Sequence, residues 1–586
     1  MATAQRQTDE PSWASAWGAL VLLAVLPYLN ALRAGFTFDD FPYVRENAAI
    51  TGGFNLTEII ATPLPVLAYL YRPLTVLTFA ANEAVAPGNA LGFHLVNVAL
   101  HAAVTVLVYC VGVQLFTARA ALIAAALFAV HPLHTEAVTS IVGRAELLAA
   151  LFGLLALHSA GAADAATDGW RKRAWYAGSL LCFTAAVFSK ENAVMVLPLV
   201  LLYRAARRGE PLWRGIYRQV GSLYWVPYAL CIGVFLYFRF LVVGTLAGVP
   251  ANRLSPLDNI LGFVPWSVRV PSALGTLWDY FGLLNLPITL SADYSFNQVP
   301  VLPNWIDPRC LAGVLLCAAG VIATVASRPA VGFSAALPFV AMLLTANVLF
   351  PIGTVKAERL LYLPSVGWML VIGLLFDRML GAARYRVVAT AVVVLMLFGF
   401  TVRTWVRNED WQDNFSLFAS TARSAPDSTK AQYNLGAALQ QRGLQTAAVA
   451  RYRRALAISR DESAQLYIGV AYEHAGDVDD AIGWYRQALG TELGYHKAHT
   501  NLCHVLLSNR RFADANTACR NGLRYWPADA NLLKGLGLSL VGLGETDKGI
   551  DILGRSLALA PGDEGLRVYI ASLRTPMAPR EEGGVL

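Results

Sequence analysis

The residues of this chain best suited to chemistry are acids and bases that border long apolar runs. The sequence GFTFDDF places two adjacent acids, Asp39 and Asp40, just after the first apolar run. A carboxylate can take a proton from a hydroxyl group, and the aromatic neighbours Phe36, Phe38 and Phe41 could desolvate and perturb it. We therefore predict a general base at Asp39 or Asp40, and the sequence does not distinguish between them. The alternative is a pair of solvated loop acids.

Basic residues near the ends of later apolar runs are suited to binding an anion. Arg144 lies in VGRAE, Lys190 in SKEN and Arg359 in KAERLLYLPS. Arginine binds phosphate oxygens with a forked guanidinium and lysine binds them as a point charge, so we predict that all three contact a phosphate. The alternatives are interfacial charges that reach to headgroups and, for Lys190, a simple pair with Glu191. The full predicted substrate-binding set is Arg359, Arg144, Lys190, Glu358, Tyr362, His131, His134, Glu136, Arg72 and Asp293.

Three members of this set, His131, His134 and Glu136, have a competing interpretation. The segment HPLHTE has a His-x-x-His-x-Glu spacing that could present a metal site on one helix face. Pro132 argues against a regular helix there, so we favour hydrogen bonding by His131 and His134 over metal binding, and Glu136 stays a candidate second acid. No cofactor is predicted with certainty, and a divalent metal ion stays open. The proline after Arg72 favours a structural role for that arginine over substrate contact.

Apolar helices must position these residues. The chain has 586 residues, of which 56% are hydrophobic and 15% are charged, whereas soluble proteins carry about 25% charged residues. This composition excludes an ordinary cytosolic enzyme, a disordered chain and a nucleic-acid binder, and it indicates an integral membrane protein in a lipid bilayer. A helix of about 20 residues crosses the hydrocarbon core. We predict about 11 spans, near 15–32, 91–116, 119–130, 144–160, 174–188, 191–203, 222–245, 309–327, 331–350, 362–379 and 385–403.

The distribution of positive charge predicts the orientation. With residues 1–14 in the cytoplasm, the cytoplasmic loops are richer in Lys and Arg than the opposite loops. This orientation requires the apolar stretch 271–290 to lie at the interface without crossing. The first extracytoplasmic loop is then 33–90, and a later one, 246–308, contains the interfacial helix. All the predicted site residues and the C-terminal domain fall on the extracytoplasmic side.

The C-terminal part, 411–586, consists of amphipathic helices with an internal repeat. Small residues recur every 33 or 34 positions, at Gly436, Gly469, Cys503 and Gly537. This period resembles the tetratricopeptide (TPR) pattern of two antiparallel helices per unit, and we predict about four repeats in a soluble α-solenoid. Cys503 and Cys519 occupy facing helices of one repeat, where they could bond in an oxidising compartment or stay free.

The order of the motifs resembles that of a known family. FxxDD, YRPL, HPxHTExVxxxVGRAE, SKE and AERxLYLPS, followed by TPR units, are similar to the motifs of the transmembrane and TPR-containing (TMTC) protein O-mannosyltransferases. The resemblance covers nearly the whole chain and implies an all-α fold, with a GT-C transmembrane catalytic domain over 15–406. In that family the acid of the first loop is the catalytic base, which falls here on Asp39 or Asp40.

The resemblance also implies an activity and its partners. It points to an inverting glycosyltransferase that moves a mannose-like hexose from a polyprenyl-phosphate carrier to Ser or Thr hydroxyls of an extracytoplasmic protein, with the TPR groove binding the acceptor. The short repeat array suggests a bacterial relative in the inner membrane that uses undecaprenyl phosphate. A eukaryotic chain would lie in the membrane of the endoplasmic reticulum. The competing functions are a membrane-anchored TPR scaffold without activity and a transporter of lipid-linked sugar.

Overall fold

Helices account for all the regular secondary structure that the computed structural model describes, which covers residues 13–65, 69–246, 255–459, 462–491, 495–560 and 563–574. Two compact units divide the chain, Met1–Pro426 and Asp427–Leu586. The α-helices of the first unit are α1 (Trp13–Val25), α2 (Ala48–Thr51), α3 (Leu56–Ala61), α4 (Pro73–Val85), α5 (Ala90–Val113), α6 (Ala118–Ala129), α7 (Thr135–Val138), α8 (Arg144–Ala165), α9 (Gly169–Ser189), α10 (Val196–Arg207), α11 (Leu212–Gly221), α12 (Val226–Val243), α13 (Trp266–Asn285), α14 (Pro308–Ala326), α15 (Pro329–Met342), α16 (Tyr362–Gly381), α17 (Arg386–Glu409) and α18 (Asn414–Ser424).

Six helices of the described residues are long and apolar enough to cross a membrane: Ala90–Val113, Ile141–Ala165, Val226–Val243, Pro308–Ala326, Glu358–Gly381 and Arg386–Glu409. A bent pair, Ala118–Ala129 with Pro132–Val138, would make a seventh span. The sequence predicts about eleven. The difference lies in shorter apolar helices such as α1, with 13 residues, and α15, with 14. At 1.5 Å per residue each is shorter than the ~30 Å hydrocarbon core. The total therefore stays a prediction.

Small residues let the helices of the first unit pack closely. A Cβ added at Gly373 of α16 would lie 2.4 Å from the backbone oxygen of Ala120 in α6. A Cβ at Gly367 would lie 2.5 Å from the backbone oxygen of Ser334 in α15. Such close backbone approach is typical of helix packing in membranes. This close packing fixes α16 against α6 and α15. The segment that precedes α16 is thereby fixed as well.

Short turns of non-α geometry precede several of these helices and carry the residues of chemical interest. A π-helical turn, Phe41–Arg45, follows the two acids of the first loop. The 3₁₀ turns Pro132–His134, Ile141–Gly143, Glu191–Met195 and Glu358–Leu361 lead into α7, α8, α10 and α16. Polar side chains near helix N-termini of the first unit are therefore held on short, rigid segments.

The second unit has the helix pairs predicted from the 33- to 34-residue period. Its helices are α19 (Thr429–Gln441), α20 (Gln445–Ile458), α21 (Glu462–Ala475), α22 (Val478–Thr491), α23 (His496–Ser508), α24 (Phe512–Tyr525), α25 (Ala530–Gly542), α26 (Thr546–Leu559) and α27 (Glu564–Arg574). This unit begins at Asp427, whereas the predicted repeat domain begins at 411, because α18 packs with the first unit: the side-chain oxygen of Asn414 accepts a hydrogen bond from the backbone N–H of Phe38, at 2.7 Å.

The repeated small residues make room for a side chain from the second helix of each pair. A Cβ at Gly436 would lie 2.6 Å from the ring of Tyr452, and a Cβ at Gly469 would lie 2.6 Å from the ring of Tyr485. The equivalent positions in the third pair are Cys503 and Cys519, which form a disulfide with a Cα–Cα distance of 5.2 Å. The bonded state, one of the two that the sequence left open, is the one in the structure.

Candidate active site

The first loop holds its two acids in different environments. Asp40 is fully buried. Its Oδ2 accepts a hydrogen bond from the backbone N–H of Thr37, and its Oδ1 accepts one from the N–H of Val142, both at 3.0 Å. Burial raises the pKa of Asp40 to about 7, although the two N–H groups oppose this shift. Asp40 therefore ties the first loop to the turn before α8.

Asp39 is half-buried and lies among polar groups. Its carboxylate interacts electrostatically with the Tyr43 hydroxyl and the Arg359 guanidinium. The residue before it, Phe38, has a φ of 46°, in the left-handed region that non-glycine residues seldom adopt. The bond from the Phe38 N–H to Asn414 supports this turn. Asp39 thus interacts electrostatically with the cation Arg359, and the hydrogen bonds of Asp40 are made to backbone N–H groups.

Arg359 and Glu136 join the turn before α16 to α7. The backbone N–H of Arg359 donates to Glu136 Oε2 at 2.8 Å, and the Arg359 guanidinium forms an ion pair with Glu136 Oε1. Glu136 is buried, while a third of the Arg359 side chain is exposed. The pair therefore presents a cation at an accessible position with its counter-ion behind it.

Two further ion pairs lie next to the first. Arg72 donates to both oxygens of Glu191, from Nε at 2.8 Å and from Nη2 at 2.6 Å. Burial disfavours the charged form of Glu191, but the neighbouring Arg72 guanidinium lowers the pKa of Glu191 to about 2. Lys190 pairs with Glu146. The direct ion pair of Lys190 among the described residues is therefore with Glu146, while Glu191 interacts with Lys190 electrostatically.

These residues form one group, which we call the acid–base cluster. Lys190 interacts electrostatically with Arg72, Arg359 and Glu136, and Arg72 also interacts with Arg359. The cluster consists of Asp39, Arg72, Glu136, Glu146, Lys190, Glu191 and Arg359. Residues far apart in the sequence thus form one electrostatically linked group, in which Asp39 interacts with Arg359.

Comparison with known proteins identifies relatives whose sequences match about three quarters of this chain. The chain is 29% identical to protein O-mannosyl-transferase F38B6.6 of Caenorhabditis elegans, over 75% of this chain and 62% of that protein. It is 30% identical to human protein O-mannosyl-transferase TMTC4, over 74% of this chain and 66% of that protein, and 27% identical to human TMTC3, over 79% and 53%. The chain is a homologue of the TMTC protein O-mannosyltransferases. It spans about 53–66% of the length of these three relatives.

The repeat domain has matches of its own. A tetratricopeptide repeat family model matches residues 459–494 and 501–564, which confirms the predicted TPR architecture. Among solved structures, MamA 41-end from Desulfovibrio magneticus RS-1 aligns with 20% identity over 25% of this chain and 82% of its own, with a TM-score of 0.24. The matches to the O-mannosyl-transferases confirm the TMTC resemblance, and the helices of the described residues together with the tetratricopeptide repeat match confirm the predicted all-α fold.

Arg144 lies away from the acid–base cluster of this TMTC homologue. It is fully buried, and its Nε donates to Asn97 Oδ1 at 2.8 Å. Its Nη1 donates to Asn82 Oδ1 at 2.6 Å and to the Thr78 oxygen at 3.1 Å, and its Nη2 donates to the Phe93 oxygen at 2.9 Å. These internal bonds occupy the guanidinium. We therefore assign Arg144 to the packing of α4, α5 and α8 in place of the predicted phosphate contact.

The two histidines of HPLHTE form hydrogen bonds inside the fold. His131 is fully buried; its Nε2 lies 3.1 Å from the Leu284 oxygen, and its Nδ1 accepts from the Leu133 N–H. His134 Nε2 lies 2.9 Å from the Ser365 hydroxyl. Pro132 opens a 3₁₀ turn there, so the two histidines and Glu136 do not share one α-helix face. In the described part of the chain, no group of three or more His, Cys, Asp or Glu could hold a metal ion.

The remaining predicted residues lie beside the cluster and brace it. Glu358 is fully buried, and its Oε1 accepts from the Ser291 N–H and the Tyr294 hydroxyl, both at 2.6 Å. Asp293 accepts a hydrogen bond from a neighbouring serine hydroxyl in the same loop. Tyr362 is buried, with its hydroxyl 2.8 Å from a histidine ring nitrogen of α5. Glu358 therefore fixes the turn that carries Arg359, and Tyr362 fixes α16.

Sequence reasoning missed two residues of this region. Tyr43 interacts with Asp39, Arg72 and Arg359 and lies in the π-helical turn after the acids. Glu191 was considered only as a partner for Lys190. The signal for Tyr43 was its place three residues after Asp40, which puts it near the acids only when the loop turns as it does here.

Proposed function

We propose that this chain is an inverting glycosyltransferase that moves a mannose-like hexose from a polyprenyl-phosphate carrier to Ser or Thr hydroxyls of an extracytoplasmic protein. The observation that supports the proposal is the electrostatic interaction of half-buried Asp39 with Arg359, which also interacts with Arg72 and Lys190. The name protein O-mannosyl-transferase, borne by the relatives, supports a sugar donor and a protein acceptor. The two competing functions have no such support from the site.

The reaction requires one base and a set of cations. Asp39 takes the proton of the acceptor hydroxyl as its oxygen forms a bond to the anomeric carbon of the sugar. The bond from that carbon to the phosphate oxygen breaks, and polyprenyl phosphate leaves with an additional negative charge. Attack opposite the leaving phosphate inverts the configuration of the sugar. The guanidinium groups of Arg72 and Arg359 stabilise the charge that develops on the phosphate.

Asp40 is assigned a positioning role in this scheme. Both of its oxygens accept backbone hydrogen bonds, and the carboxyl group is fully buried. Because the carboxyl group is fully buried, an acceptor hydroxyl could reach it only after the loop moved. We therefore propose Asp39 as the base and Asp40 as the residue that holds the loop beside α8.

The repeat domain is proposed to bind the acceptor on the extracytoplasmic side. Stacked TPR helix pairs form a concave surface that suits an extended peptide. The disulfide between Cys503 and Cys519 supports this location, since disulfides persist in oxidising compartments. The membrane is proposed to be a bacterial inner membrane or, in a eukaryote, that of the endoplasmic reticulum.

A transfer assay with purified full-length protein tests the proposal. The donors are polyprenyl-phosphate mannose and the matched glucose compound, and the acceptor is a Ser/Thr-rich peptide with a Ser/Thr-free control. We expect one hexose added to the first peptide only, at lower yield from glucose, with an anomeric configuration opposite to that of the donor by NMR. A wild-type protein that binds the donor and leaves the acceptor unmodified would refute the proposal.

A further inference from the structure

A single arginine interrupts the apolar sequence of α12. Arg239 lies in ALCIGVFLYFRFLVV, which contains no Asp, Glu, Lys or His and no second Arg. It is 3% exposed. A charged side chain inside a membrane-spanning helix is costly, so such residues usually pair with an opposite charge or serve a function. Its surroundings distinguish these cases.

The contacts of Arg239 include no carboxylate hydrogen bond. Its Nη2 donates to the backbone oxygen of Tyr69 at 2.7 Å, and its Nε donates to the backbone oxygen of Leu246 at 3.1 Å. Its Nη1 is buried and has no hydrogen-bond partner among the described residues. The guanidinium is therefore held in a fixed place by two backbone groups while one of its nitrogens stays available.

Arg239 contacts the segment that carries Arg72 of the acid–base cluster, because Tyr69, which accepts the Nη2 hydrogen bond, lies three residues before Arg72. Arg239 interacts electrostatically with Glu191 and with Arg72. Arg72 and Arg359 each have a carboxylate in direct contact, whereas Arg239 has none at hydrogen-bond distance in the described residues. Arg144, the other buried arginine of this region, donates hydrogen bonds from all three of its nitrogens to the fold. Arg239 is thus a fixed cation without a carboxylate at hydrogen-bond distance in the described part of the chain.

We infer that Arg239 binds the phosphate group of the polyprenyl donor through Nη1. This inference rests on the proposed function and adds a polarity to the site. Electrostatic interactions link Asp39 to Arg359, Arg359 to Arg72, and Arg72 to Arg239. In this inference the acceptor hydroxyl lies at Asp39, and the donor phosphate is held by Arg239 together with Arg72 and Arg359. Glycosyl transfer takes place between these two positions.

A binding measurement tests the inference without requiring turnover. Purified full-length protein in detergent is titrated with undecaprenyl phosphate, with undecaprenol and with phosphatidic acid, and ligand-dependent thermal stabilisation gives the apparent affinities. We expect the wild type to prefer undecaprenyl phosphate over both other lipids. Arg239→Gln should lower the preference for the phosphate over the alcohol by about tenfold or more, as expected for a lost charge-assisted hydrogen bond. Asp39→Asn, at the acceptor position, should keep the preference.

Each other outcome decides a separate question. A wild type without preference for the phosphate over the alcohol would refute the donor assignment together with the inference. A preference that Arg239→Gln retains would overturn the inference alone, and equal binding of phosphatidic acid would overturn the assignment to a polyprenyl lipid. If Arg239→Gln does not fold, Arg239→Lys keeps the charge without the fork: a weakened preference supports the inference and an unchanged one overturns it.

Discussion

Asparagine substitutions of the two adjacent acids should separate catalysis from stability. Asp39→Asn removes the proposed base and keeps the side-chain shape. Removal of a general base typically lowers the rate by roughly 10²- to 10⁴-fold, and we expect the transfer rate of this variant to fall by that factor. Because Asp39 is half-buried, the thermal midpoint of the protein should change little.

The expected effect of Asp40→Asn follows from its hydrogen bonds. One carboxyl oxygen accepts from the Val142 N–H and the other from the Thr37 N–H. An amide nitrogen cannot accept a hydrogen bond, so one of these backbone N–H groups loses its partner whichever way the amide is turned. A buried donor without a partner costs about 1–3 kcal/mol. The Asp40→Asn protein should therefore be less stable by that amount, and the fraction that stays folded should keep part of its activity.

The assay combines a rate with a melting curve for each variant. Hexose transfer to the peptide acceptor gives the rate per folded molecule, and intrinsic fluorescence on heating gives the midpoint. The reverse pattern would refute our reasoning: an Asp39→Asn enzyme of full activity, or an Asp40→Asn enzyme that is as stable as the wild type and inactive. Loss of activity in both at unchanged stability would show that the acids act together.

Three further predictions concern stability and covalent state. In the folded protein the pKa of Asp40 is about 7, whereas in an unfolded chain it is near 4. The stability advantage of wild type over Asp40→Asn should therefore shrink as the pH rises from about 4 to about 7. Thermal midpoints at several pH values measure this advantage, and a pH-independent difference would contradict the prediction. Denatured, unreduced protein should label five thiols, since Cys503 and Cys519 are bonded, and seven after reduction; seven at the outset would contradict the disulfide. Glu146→Gln leaves Lys190 buried without its partner and should lower the free energy of unfolding by about 3–5 kcal/mol. The double variant Glu146→Gln with Lys190→Gln should recover part of that stability in melting curves. No recovery would indicate that the two charges are not coupled.

The fold was largely predictable because its signals are local in the sequence. Apolar runs and a 33- to 34-residue period report the length and spacing of helices directly. The predicted orientation also puts Asp39 and Arg359 on the same side of the membrane, although no local pattern places them together. The sequence could not resolve which groups pair with each charged side chain. Lys190 forms its ion pair with Glu146 of α8, and Arg144 donates its hydrogen bonds to groups inside the fold. The partner in an ion pair depends on the direction of the side chains in the folded protein, which the neighbouring residues in the sequence do not determine.

The three ion pairs of the cluster differ in how readily a phosphate can compete for the cation. Lys190 and Glu146 are 7% and 6% exposed, so separation of this pair would leave both charges buried, and we regard it as a support. Arg359 is 32% exposed, and its backbone N–H also bonds Glu136 at 2.8 Å. The guanidinium can therefore turn toward a substrate while the carboxylate keeps one donor. That arrangement suits a cation that exchanges a protein anion for a substrate anion in each cycle. Arg359, more than Lys190, is therefore the residue expected to bind the phosphate during the reaction.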